Sequence, residues 1–78
     1  MTRILFLGPA REAAGCREDD VVGETVAEVL AGAVERYGEG FEKILSVSQV
    51  WLNGASCSPD QVVGSHDEIA VLPPISGG

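Results

Sequence analysis

The stretch TVAEVLAGAVERY, residues 25–37, decides the fold of this 78-residue chain. Its apolar side chains recur three and four residues apart, which is the spacing of one buried helical face. These side chains are Val26, Val29, Leu30, Ala33, Val34 and Tyr37. Thr25 and Glu28 have the spacing of a capping box at the start of a helix, and Gly38 provides its end. The stretch therefore predicts one amphipathic helix with its glutamates on the solvated side.

Shorter segments on both sides of this helix have the composition of β-strands. The predicted strands are 3–7, 19–22, 49–52, 55–57 and 68–72, with a short helix at 10–14 and a helical turn at 41–45. Asn53-Gly54 joins the third and fourth strands and is a strong hairpin signal. This order predicts an α+β domain with the β-grasp, or ubiquitin-like, arrangement. Such a domain has a five-stranded mixed sheet with one main helix packed on one face.

The composition limits what the chain can bind. Its net charge of −7 comes from 12 acidic and 5 basic residues. Nucleic acids and anionic membrane surfaces attract basic proteins, so both classes of partner are excluded. No apolar segment approaches the roughly 20 residues of a membrane span, and we expect a soluble, cytoplasmic protein. These properties favour a small carrier, adaptor or subunit, and its charge predicts a basic surface on the partner.

The cysteines and the histidine do not form a predicted metal site. Cys16 and Cys57 lie far apart, and His66 is the single histidine. A zinc site needs about four ligands, and plant-type iron–sulfur clusters use four thiolates, so the residue count excludes both. Small disulfide-stabilised domains usually contain more cysteines. We therefore predict that both thiols are reduced and semi-buried, and that His66 lies in a loop.

Because strand side chains alternate, the helix can cover only one face of the predicted sheet. The covered face is predicted to carry Ile4, Phe6, Val50, Leu52, Ile69 and Val71. The opposite face then carries Leu5, Leu7, Trp51, Ala70 and Leu72. An apolar patch of this kind usually marks a protein interface, with aromatic side chains as anchors. We predict a partner-binding surface here; the alternatives are that loops cover this face or that a bulge shifts one strand.

An extended tail, residues 73–78, is predicted to follow a β-grasp domain of residues 1–72. In order, the tail consists of Pro73, Pro74, Ile75, Ser76, Gly77 and Gly78. The two prolines donate no backbone N–H and so end strand pairing. The two glycines have no Cβ and can thread a narrow channel, which places a free carboxylate at the tip of a slim segment. The alternative is an ordinary frayed terminus.

The tail resembles the carboxyl-terminal signature of the small subunit of molybdopterin synthase, a family of ubiquitin-like sulfur carriers. Three further segments resemble the same family: Asp67-Glu68-Ile69-Ala70, Leu52-Asn53-Gly54, and Phe6 followed by Ala10-Arg11-Glu12 and Gly15. The resemblance covers essentially the whole chain, and the tail is its most specific part. His66 stands where the family commonly has a glycine, which affects only the expected geometry of one turn.

The resemblance implies a sulfur carrier with Gly78 as the reactive residue and Gly77 beside it for threading. It implies that a ubiquitin-activating-like adenylyltransferase uses ATP to adenylate Gly78. A sulfurtransferase or another persulfide donor then leaves a thiocarboxylate, and the tail enters the large subunit of molybdopterin synthase. There the sulfur passes to cyclic pyranopterin monophosphate. The expected partner-binding residues are Leu5, Leu7, Trp51, Leu72, Pro73, Pro74, Ile75 and Ser76.

No bound cofactor is expected, and the chain alone is expected to catalyse nothing. Other functions stay open. One is sulfur carriage for thiazole, cysteine or tRNA thiolation, although the short helix after the first strand favours the molybdopterin subunit over the thiazole type. Another is a ubiquitin-like modifier joined to lysines through Gly78; Lys43, the single lysine, limits chains formed through side-chain amines. A plain interaction module without tail chemistry is a third.

Overall fold

The structure is a computed structural model, and it describes residues 1–73. Three helices and five strands follow one another along the chain. They are β1 (Thr2–Phe6), α1 (Pro9–Ala14), β2 (Glu18–Val21), α2 (Val26–Tyr37), α3 (Glu39–Ser46), β3 (Gln49–Leu52), β4 (Ala55–Ser56) and β5 (Glu68–Leu72). In residues 1–73, no helix has the length and the apolar content needed to cross a membrane.

The strands form one mixed sheet in the order β2-β1-β5-β3-β4. The central strands β1 and β5 are parallel, and the other neighbouring pairs are antiparallel. Val71 lies opposite Phe6 on one side and Val50 on the other, so the first and the last strand lie side by side in the middle of the sheet. This arrangement confirms the predicted five-stranded β-grasp fold, with α2 as its longest helix.

The core lies between the sheet and the helices. Ile4, Phe6, Ile69 and Val71 are fully buried, as the alternation of β1 and β5 predicts. They pack with Val26, Val29 and Ala33 of α2 and with Phe41 of α3. Val50 and Leu52 point to the same side but are only half-buried. Their strand is flanked on one side by the two-residue β4, so fewer side chains cover it.

Local hydrogen bonds explain why α2 begins and ends as predicted. Thr25 Oγ1 accepts from the Glu28 backbone N–H at 3.2 Å, which satisfies one of the free donors of the first turn. Glu28 Oε1 accepts from the N–H of Glu24 at 3.1 Å. In a standard capping box the donor would be the N–H of the N-cap residue, Thr25, so the bond here is made one residue earlier in the chain. Gly38 follows Tyr37 with a φ of 90°, which few residues other than glycine adopt, and the helix ends there.

The largest departure from the sequence prediction is α3. A helical turn over 41–45 was expected, whereas the structure has a helix over Glu39–Ser46. Gly40 lowers the helix propensity of its first turn, which weakened the signal. Tertiary packing stabilises it, because the ring of Phe41 meets Phe6 edge-on at 5.5 Å.

Three strands also differ from their predicted bounds by one residue: β1 and β2 at both ends, since they end at Phe6 and Val21, and β4 at one end. Strand β1 includes Thr2, which is buried and donates its hydroxyl to the carbonyl of Gly64 at 3.2 Å. Strand β2 begins at Glu18 rather than at residue 19, because Glu18 pairs with Leu5. Strand β4 ends at Ser56, since the pairing with β3 stops at the Trp51–Ser56 pair.

Candidate functional site

The sheet face opposite the helices brings together the apolar side chains that the sequence predicted there. The register places Ala70 of β5 between Leu5 of β1 and Trp51 of β3, in one row across the three central strands. Leu5 and Ala70 are half-buried, and Trp51 is 36% exposed. No bulge shifts the parity of these strands, so the sequence-based assignment of this face is correct.

Trp51 is held in place on this face by its own strand. Its indole Nε1 donates to Gln49 Oε1 at 3.2 Å, two residues back on the same side of β3. Gln49 in turn lies opposite Leu72 in the register of β3 and β5. Leu72, half-buried, therefore extends the apolar surface toward the end of β5.

The carboxyl ends of the parallel strands β1 and β5 lie side by side, and Pro73 directly follows the last residue of β5. The N–H of Leu7 donates to the carbonyl of Val71 at 3.1 Å, which extends the parallel pairing beyond Phe6. Gly8 has a φ of 55°, and a Cβ at Gly8 would lie 3.4 Å from Pro73 Cγ. A glycine at this position therefore avoids both backbone strain and crowding against the proline.

The expected site residues divide at this point. Leu5, Leu7, Trp51, Leu72 and Pro73 lie on one side and at one end of the sheet. The remaining expected residues lie outside the described part of the chain: Pro74, Ile75, Ser76, Gly77 and Gly78. The partner-binding role of the apolar face and the reactive role of Gly78 stay predictions.

A polar cluster that the sequence did not reveal ties the hairpin to β5. Asn53 Nδ2 donates to Asp67 Oδ1 at 2.9 Å, and the N–H of Glu68 donates to Asn53 Oδ1 at the same distance. The N–H of Gly64 donates to Asp67 Oδ2 at 2.8 Å. These hydrogen bonds, the one from Asn53 with the larger effect and the one from Gly64 with the smaller, hold the pKa of Asp67 below its usual range. Two of the segments that carry the family resemblance are therefore in direct contact.

The two cysteines are free and half-buried, as predicted. Burial raises the pKa of the Cys57 thiol, so the reactive thiolate is disfavoured at neutral pH. Cys16 Sγ lies 3.3 Å from the hydroxyl of Tyr37. His66 is exposed in a turn, as expected, and in residues 1–73 no three His, Cys, Asp or Glu side chains converge as a metal site requires.

Two small clefts open at opposite ends of the strands. One, of about 230 Å³, is polar and lies around Arg3 and Asp20. The other, of about 160 Å³, lies at the end of β1, where Leu5 and Leu7 meet Arg11 and Arg17. The sequence did not predict the second cleft, because the net charge of the chain does not show that Arg11 and Arg17 lie close together in the fold.

Comparison with known proteins gives the family and confirms the fold. Residues 4–78 match the ThiS family. SAMP1, a small archaeal modifier protein from Haloferax volcanii, is 26% identical, with 99% of this chain and 98% of that chain covered and a TM-score of 0.80. A chain in the complex of subunits 1 and 2 of molybdopterin-converting factor from Helicobacter pylori is 24% identical, with coverage of 99% and 97% and a TM-score of 0.73.

A further similar chain comes from the BexX/CysO complex of Amycolatopsis orientalis, at 17% identity, with both chains fully covered (100%) and a TM-score of 0.78. The fold is therefore that of the ubiquitin-like sulfur carriers. The family match also reaches the last residue of the chain, so it includes Gly77 and Gly78. This chain, with its β-grasp sheet, belongs to the ThiS family.

Proposed function

We propose that the chain is a sulfur carrier whose Gly78 is adenylated and converted to a thiocarboxylate, and that it is the small subunit of molybdopterin synthase. The observation that carries this proposal is the family match over residues 4–78, because it runs from β1 through the two terminal glycines. The order of elements supports it, since the central strand β5 ends at Leu72 and Pro73, the first residue of the predicted tail, follows directly.

The chemistry requires activation, because an α-carboxylate is ionised at neutral pH and resists nucleophilic attack. In the proposed first step a Gly78 carboxylate oxygen attacks the α-phosphorus of ATP, and pyrophosphate leaves. The terminal sulfur of a protein persulfide then attacks the acyl carbon, AMP leaves, and an acyl disulfide forms. A second thiol reduces that disulfide, which frees the thiocarboxylate and oxidises the two thiols to a disulfide. All catalytic groups in these steps belong to the partner proteins.

The surface of the chain supports a role in which partners hold it and use its terminus. The apolar row of Leu5, Ala70 and Trp51 has the composition of an interface centre, where aromatic side chains contribute most. The Cys57 thiol is half-buried, and burial raises its pKa, so the reactive thiolate is disfavoured there. We expect the large synthase subunit and the adenylyltransferase to contact the apolar face in turn.

Two variants of the terminus test the reactive residue. Deleting Gly78 removes the acceptor carboxylate from its position, and adding one residue after Gly78 displaces it. We expect both variants to lose sulfur transfer to the pterin precursor in the reconstituted synthase. Their melting temperatures should match that of the unmodified chain, because β5 ends at Leu72. Sulfur transfer by either variant would contradict the assignment of Gly78.

Partner capture tests the pathway. We expect the large subunit of molybdopterin synthase to bind this chain and to make dithiolene product with its thiocarboxylate. A chain that instead supplies sulfur only to a thiazole synthase or a cysteine synthase would remain a sulfur carrier, and the molybdopterin assignment would be wrong.

A second candidate function is protein modification, and the 26% identity to SAMP1 over 99% of this chain favours it. In that case the activated Gly78 carbonyl is attacked by a lysine amine, AMP or a thiol leaves, and an amide forms. Intact-mass measurement of target proteins, incubated with the chain, its activating enzyme and ATP, would show an adduct of the whole chain less one water. A thiocarboxylate without any adduct favours the carrier.

A further inference from the structure

The positive charges of the chain are unevenly partnered. Arg36 Nη1 lies 2.5 Å from Asp19 Oδ2, and Arg3 Nε lies 3.9 Å from Asp20 Oδ1. Among residues 1–73, neither Arg11 nor Arg17 forms an ion pair with a carboxylate. Both arginines are exposed, and both line the cleft at the end of β1. In a chain with a net charge of −7, these two guanidinium groups thus share one site.

Both arginines are hydrogen-bonded to the same residue, Phe6 of β1. Arg11 lies in α1, and its Nε donates to the carbonyl of Phe6 at 3.4 Å, which leaves its terminal nitrogen atoms for other acceptors. The carbonyl of Arg17 accepts from the N–H of Phe6 at 2.9 Å. Phe6 itself is fully buried. Because one buried residue of β1 binds both, the two arginines are presented from a rigid base.

The wall between the arginines is apolar. Leu5 and Leu7, both half-buried, project from the outer face of β1 into the same cleft of about 160 Å³. Among residues 1–73, Glu18 is the one carboxylate that lines the cleft, so two positive groups face one negative group there. An apolar floor with surplus guanidinium at its rim fits an apolar side chain followed by a carboxylate, which arginine can bind through two parallel hydrogen bonds.

We propose that this cleft binds an acidic segment of the partner proteins, with an apolar side chain on Leu5 and Leu7 and carboxylates on Arg11 and Arg17. The inference rests on the proposed function for the identity of those partners. The cleft continues the apolar face, and Leu7 precedes Gly8, against which Pro73 lies. A partner that accepts the tail therefore reaches the cleft at the same time. The partner surface at this point is acidic, whereas the net charge of the chain predicted a basic one.

Charge reversal tests the cleft with a matched control. Arg11→Glu and Arg17→Glu each change the net charge by the same amount as Lys43→Glu, which lies exposed on α3, outside the cleft. Binding of each variant to the purified large synthase subunit and to the adenylyltransferase is measured by calorimetry at low salt. We expect each arginine variant to weaken binding by about tenfold or more, as for the loss of a charge-assisted hydrogen bond. Lys43→Glu should leave the affinity within about twofold, as for a charge outside the interface.

The conservative variants Arg11→Lys and Arg17→Lys should lose less affinity than the glutamate variants, since they keep the charge. Circular dichroism checks that Arg11→Glu folds, and Arg17→Glu carries the test if it does not. Equal effects of Arg17→Glu and Lys43→Glu would overturn the inference and leave the proposed function intact. Tighter binding by the arginine variants would also overturn it, because the partner surface that faces the cleft would then be basic. If neither partner bound the unmodified chain, the proposed function would fail and the inference with it.

Discussion

At the scale of single residues, side-chain hydrogen bonds set the register of the sheet on which the proposed interface lies. Asn53 adopts a φ of 52° in the hairpin turn, next to Gly54 with a φ of 83°. Both values are positive, as the tight turn of a two-residue hairpin requires. The amide of Asn53 reaches Asp67 and the N–H of Glu68, so one side chain both forms the turn and fixes the start of β5.

Substitution of Asn53 separates these two roles. Asn53→Gly keeps the backbone conformation and loses the side-chain hydrogen bonds. Asn53→Ala loses the same hydrogen bonds and, in addition, disfavours the left-handed backbone conformation. We expect Asn53→Ala to be the less stable by about 1–2 kcal/mol, the cost of a left-handed conformation for an alanine. Urea unfolding at neutral pH measures both. Equal stabilities would show that the turn relaxes to another conformation and that Asn53 does not fix it.

A second set of residue contacts links β2 to α2. The hydroxyl of Tyr37 donates to Asp19 Oδ2, and Arg36 binds the same oxygen. The hydrogen bond from Tyr37, then that from Arg36, holds the pKa of Asp19 below its usual range. Burial, followed by the bond to Asp19, raises the pKa of Tyr37 far above its usual range. The ring of Tyr37 also meets Phe6 edge-on at 5.4 Å.

The pH dependence of stability follows from the sign of the Asp19 shift. Because the pKa of Asp19 is lower in the folded state, its contribution is present above about pH 4 and is lost as the pH falls through the folded value. Tyr37→Phe keeps the ring and removes the main cause of the shift. We therefore expect this variant to lose less stability than the unmodified chain between neutral pH and about pH 3. Urea unfolding at both pH values is the measurement; an unchanged acid loss would rule out this role for Tyr37.

At the scale of elements, the two longer helices show what the sequence could and could not predict. Helix α2 combines a capping residue with a regular apolar repeat, and its bounds were predicted from both. Helix α3 has a glycine in its first turn, and its stability comes from Phe41 in the core, which a local pattern does not contain. Strand parity was predictable for β1, β3 and β5, whereas the depth of burial was overestimated for Val50 and Leu52 of β3, whose neighbour β4 is short.

Two helical glycines make a matched pair at this scale. A Cβ at Gly40 of α3 would meet nothing within 4 Å, whereas a Cβ at Gly32 of α2 would lie 2.7 Å from Val21 Cγ1. Gly40→Ala should therefore stabilise the chain by about 0.5–1 kcal/mol through its better helix propensity. Gly32→Ala should destabilise it, because Val21 is buried in β2 and leaves no room. Thermal unfolding of both variants is the measurement, and a stabilising Gly32→Ala would show that α2 does not approach β2 so closely.

At the scale of the whole molecule, the sheet separates two tasks. Its inner face carries the core and its outer face carries the apolar row, so under the proposed function stability and binding would depend on alternate residues of the same strand. The outer residues were predictable from alternation, whereas the predicted tail lies, beyond Pro73, outside the described residues. The arginine cleft was not, since Arg11 and Arg17 come together only when α1 folds back beside β1 and β2. The contact between Asn53 and Asp67 was hidden for the same reason, as 14 positions separate them along the chain.

Adjacent residues of β5 test this division of tasks. Leu72→Asp places a charge on the outer face and should leave the fold intact while abolishing binding to the large synthase subunit. Val71→Asp places the same charge in the core, where Val71 is fully buried, and should unfold the chain. Circular dichroism and a binding assay on both variants separate the outcomes. An unfolded Leu72→Asp would mean that Leu72 belongs to the core and not to an interface.

Intact-mass spectrometry shows whether the terminal carboxyl of Gly78 carries sulfur, on which the whole proposed function depends. The chain is incubated with its adenylyltransferase, ATP and a persulfide donor, beside the same mixture without ATP. We expect a mass increase equal to the difference between one sulfur and one oxygen atom, only with ATP, and located by fragmentation at Gly78. A mass that stays unchanged with every component present, or sulfur located at Cys16 or Cys57 instead, would contradict the proposed function.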